Sequence, residues 1–66
     1  MTREQERALR AQAKAHGEFQ DAMRNLSAAN IAGAHCDEIA KLAALTSAQA
    51  RRWAQATEEA RRVCGL

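Results

Sequence analysis

Sixty-six residues with a formal net charge of +2, no proline and three glycines describe one small helical domain, 1–66. A chain of this length buries only about 60% of the surface its unfolded form exposes. Most of its 47% hydrophobic content is alanine, so the expected core is thin and calls for self-association or a partner. The large apolar residues are Leu9, Phe19, Met23, Leu26, Ile31, Ile39, Leu42, Leu45, Trp53, Val63 and Leu66.

The polar N-terminus, TREQER, does not read as a signal peptide, and no apolar run is long enough to span a bilayer. A cytoplasmic protein without membrane contact is therefore expected. Residues 1–33 and 34–66 each hold five basic and four acidic groups, so neither half is a basic tail that coats nucleic acid. Any DNA contact must come from local placement of charge.

Residues 3–16 are strong helix formers, and Thr2 with Gln5 makes a T-x-x-Q capping box at their start. Leu9 is their one large apolar residue, so 1–17 reads as an N-terminal extension or interaction helix. Gly17 either ends it or lies within a longer helix at a cost of about 1 kcal/mol. In 18–32 the spacing of Phe19, Met23 and Leu26 predicts an amphipathic helix that ends at Gly33. Residues 36–43 predict a short helix with Asp37 and Glu38 in its first turn, favourable to the helix dipole. A last helix is predicted from Ser47, with Thr46 as N-cap, Gln49 completing a second capping box, and Gly65 as the next breaker. Its apolar side, Ala50, Trp53, Ala54, Thr57, Ala60, Val63 and Cys64, outlasts the needs of a compact motif.

The order Gly33, Glu38-Ile39-Ala40, Leu42-Ala43, Leu45-Thr46, then Ala50 and Trp53 resembles the helix-turn-helix of LuxR-type regulators and of sigma-factor region four. The resemblance covers about a third of the chain, with the motif at 33–55 inside a core at 18–66. It implies an all-α, three- to four-helix domain with a long C-terminal helix. In that arrangement Ala40, Leu45, Ala50 and Trp53 face inward, and Ser47, Ala48, Arg51, Arg52 and Gln55 face the major groove of double-stranded DNA. Arginine can read guanine in bidentate fashion, glutamine can read adenine, and Lys41 would add a phosphate contact. The sequence departs from the motif at Ala44, where the turn usually carries glycine, and at His35, a poor cap.

The expected function is thus a small DNA-binding regulator, likewise implied to be a homodimer or to work with a protein partner. The alternative is a protein-interaction module, such as an antitoxin, an inhibitor or a factor docking on RNA polymerase, which uses its helical faces for contact. No nucleophile–base pair, carboxylate dyad or phosphate-binding loop points to an enzyme or a small-molecule substrate. His16, His35, Cys36 and Cys64 lack paired metal-ligand spacing, so neither metal nor other cofactor is expected.

Overall fold

The computed structural model describes residues 1–65; Leu66 lies outside them. Two α-helices of 29 residues each, α1 (Arg3–Ile31) and α2 (Cys36–Cys64), form an antiparallel hairpin. Each helix is about 43 Å long, matching the 47 Å extent of the chain. The described residues are all-α as expected, but they form two helices where the sequence suggested three or four.

Both extra joints vanish for local reasons. Gly17 lies inside α1, where one glycine is a tolerated cost. Residues 44–46, expected to turn, are Ala-Leu-Thr, and nothing in them breaks a helix. Ala44 never enters the left-handed region, since among the described residues no non-glycine has positive φ. Thr46 does not cap: its hydroxyl donates to the Leu42 carbonyl at 2.8 Å, a bond within a continuing helix.

The true ends are well specified. The Thr2–Gln5 capping box forms in both directions, at 3.1 Å each. His35 caps α2 after all, its Nδ1 accepting the Asp37 amide at 3.1 Å. α1 closes in a Schellman turn: the Ala34 amide donates to Ala29 O (3.0 Å) and the Gly33 amide to Asn30 O (3.2 Å). Gly33 supplies the left-handed residue, at φ 72°.

The two glycines predict opposite outcomes. Gly33→Ala should destabilise the hairpin by about 1–2 kcal/mol, because an L-residue resists that φ. Gly17→Ala should stabilise it by about 0.5–1 kcal/mol, since a Cβ there meets nothing within 4 Å. Urea denaturation of the two variants checks both signs.

Candidate interaction surface

The hairpin is held by a seven-residue repeat. On α1 the seam is Gln5, Ala8, Gln12, Ala15, Phe19, Ala22, Leu26 and Ala29; on α2 it is Ile39, Leu42, Thr46, Gln49, Trp53, Ala56, Ala60 and Val63. Spacings alternate three and four on both helices, the pattern of a coiled-coil seam. Every one of these residues is buried or half-buried. Alanine takes every second position on α1, at 8, 15, 22 and 29. Small residues there let the helices approach closely, and the three most buried residues are Ala8, Ala22 and Ala60.

Register is fixed by contacts at different levels. Gln5 Nε2 donates to Val63 O at 3.4 Å, and Gln12 Nε2 donates to Thr57 Oγ1 at 3.2 Å. At mid-height Trp53 stacks on Phe19, ring centroids 5.4 Å apart, and lies 4.5 Å from the His16 ring. Gln49 Oε1, also in the seam, is buried without a hydrogen-bond partner. Polar seam positions cost stability but penalise slipped pairings.

Outside the seam the hairpin has two unlike faces. One is formed by Glu6, Leu9, Ala13, His16, Gln20, Met23, Ser27 and Asn30 of α1 with Ala40, Ala43, Ser47, Ala50, Ala54, Thr57, Arg61 and Cys64 of α2. Glu6 and Arg61 are its only acidic or basic residues apart from His16. The reverse face bears Glu4, Arg7, Lys14, Glu18 and Asp21 on α1. Its α2 half bears Glu38, Lys41, Arg52, Glu59 and Arg62, with Arg62 paired to Glu59. Apart from Glu6, Arg61 and His16 the first face is uncharged, whereas the reverse face is broken up by charge along its length.

The residues singled out for DNA contact spread along α2. Lys41, Ala48 and Gln55 fall in one row on the charged side, seven residues apart, with Arg52 beside them. Arg51 points most directly away from α1, and Ser47 belongs to the uncharged face. All but the half-buried Ala48 are exposed. The bend that would gather them at the start of a recognition helix is absent, because residues 36–64 are one helix. Two expected inward anchors also face out: Ala40 is exposed, and Leu45 is 47% exposed. Trp53 does turn inward, stacking on Phe19, while Ala50 is half-buried at the edge of the uncharged face.

His35, Cys36 and Asp37 hold metal-capable atoms within 4.8 Å of one another, but all three are exposed and His35 Nδ1 is engaged as the cap. Cys36 and Cys64 begin and end the same helix, about 42 Å apart by helical rise, which rules out a disulfide between them within one chain. Comparison with family profiles, curated proteins and solved structures returned no match.

Proposed function

We propose that the chain is a protein-interaction module whose helical hairpin completes its core against another helical surface. One observation carries this reading: among the described residues no large side chain is fully buried. Phe19, Leu26, Ile39, Leu42, Trp53 and Val63 all occupy the seam, yet each remains only half-buried. Two helices alone cannot enclose side chains of this size, and further helices packed on the hairpin would. The uncharged face is the natural place for them, because docking there strips water from few charges.

The test is thermal unfolding at rising protein concentration with a hydrophobic dye present. The reading expects dye binding by the dilute chain and a melting temperature that rises as a partner, or more of the chain itself, is added. A monomer that melts cooperatively above about 65 °C, independent of concentration and without dye binding, overturns it.

A second reading keeps contact with double-stranded DNA. It is favoured by the exposure of Lys41, Ser47, Arg51, Arg52 and Gln55 on α2, and a straight helix still fits a major groove. It expects log affinity to fall linearly with log salt, and absence of binding at about 50 mM salt excludes it.

A further inference from the structure

Resting on the interaction-module reading, the uncharged face also indicates its occupant. We propose that this face binds a second copy of the chain about a twofold axis running parallel to the helices, so that α1 of each copy lies over α2 of the other in a four-helix bundle.

Three features of the face select this arrangement. The first is size. Its inner edge carries the large Leu9, His16 and Met23 on α1 but the small Ala43, Ala50, Thr57 and Cys64 on α2. Laying α1 over the partner's α2 sets large on small along the whole length, which lets the two layers interdigitate. A twofold axis crossing the hairpin would set α1 over α1 and α2 over α2, crowding one side and leaving gaps along the other.

The second is charge. Glu6 and Arg61 both stand at the open end, at the level fixed by the Gln5–Val63 contact. With the axis parallel to the helices, Glu6 of one copy meets Arg61 of the other, twice by symmetry. With the crossing axis, each would instead lie over the uncharged, closed end of the other hairpin. The outer rows then pair Ala13 with Ala54, Gln20 with Ser47 and Ser27 with Ala40, all without net charge.

The third is area. A face about 43 Å long and two helices wide, some 20 Å, covers roughly 900 Å² per copy, close to the ~800 Å² per partner of a stable interface. The reverse face is the poorer candidate, since docking there would strip water from five acidic and five basic side chains.

Distance measurement between spin labels tests the arrangement. Cys36 is exposed at the start of α2 and can be labelled in a Cys64→Ala background. Both closed ends lie together in the proposed dimer, so the Cys36–Cys36 distance should fall below about 30 Å, against about 40 Å for the crossing axis. Sedimentation equilibrium supplies the second readout. Ala13→Glu with Ala54→Glu, both exposed in the single hairpin, should weaken the dimer by roughly 100-fold or more, while Ala28→Glu on the charged face leaves it unchanged. Far-UV circular dichroism at high concentration confirms that the variants remain helical. A long Cys36 distance within a dimer overturns the proposal and leaves the interaction-module reading standing. Equal loss from Ala28→Glu overturns it likewise, as does a monomer at millimolar concentration. In that last case the dye and melting experiment decides whether the broader reading falls as well.

Discussion

Replacing Trp53 by alanine is expected to remove about 3 kcal/mol of stability, near the lower end for loss of a large aromatic from a core. The lower end applies because Trp53 is half-buried. It is nevertheless the one residue that ties α2 to two aromatic rings of α1, stacking on Phe19 at an interplanar angle of 22° and resting against His16. The seam alanines beside it, Ala56 on α2 and Ala15 and Ala22 flanking Phe19 on α1, are too small to collapse into the space. For a 66-residue chain that loss is a large part of the total, so Trp53→Ala should be substantially unfolded at low concentration. Trp53→Phe should retain most of the stability. Urea denaturation followed by far-UV circular dichroism gives the comparison. A loss below about 1 kcal/mol for the alanine variant would show that the aromatic cluster does not hold the hairpin.

Ala60→Leu should act from the opposite direction, by excess volume. Ala60 is 2% exposed, the least accessible of the buried alanines, and lies where α2 meets the first turns of α1. A leucine there has no open side to turn toward, so the helices must separate locally, at about 1–3 kcal/mol. The same exchange at Ala44, exposed and furthest from α1, should stay within about 0.5 kcal/mol. Leucine and alanine are both good helix formers, so propensity contributes little to the contrast. Similar losses at the two positions would mean that close alanine packing is not what holds α1 and α2 together.

Helix type, the Thr2–Gln5 box, the stop at Gly33 and the start near Cys36 were legible because each depends on a few adjacent residues. The seam was harder to see because its repeat is written largely in alanine. Ala8, Ala15, Ala22 and Ala29 recur every seven residues, but as small residues they blend into a chain that is alanine-rich throughout. Attention to large side chains draws Met23 and Leu45 into the core, and both are 47% exposed. Thr46 misled for a different reason. A threonine three residues before glutamine can cap a new helix or bond back into an old one, and the choice depends on whether the preceding residues stop. Nothing at 43–45 stops them. The two-faced charge distribution was equally present in the sequence, but it can be tallied only once both helices are known to run unbroken and in register.

The turn at Ala32–His35 also governs the order of events in folding. Contacts near it close short loops, whereas Gln12 and Thr57 are separated by 45 residues and Gln5 and Val63 by 58. Loop-closure entropy rises with that separation, but each new pair lengthens the loop only slightly once the previous pair has formed. The hairpin therefore closes from Gly33 outward and opens from Thr2 and Gly65 inward. Changes in the Schellman turn should alter how fast the chain folds, and changes around Gln5 and Val63 how fast it comes apart.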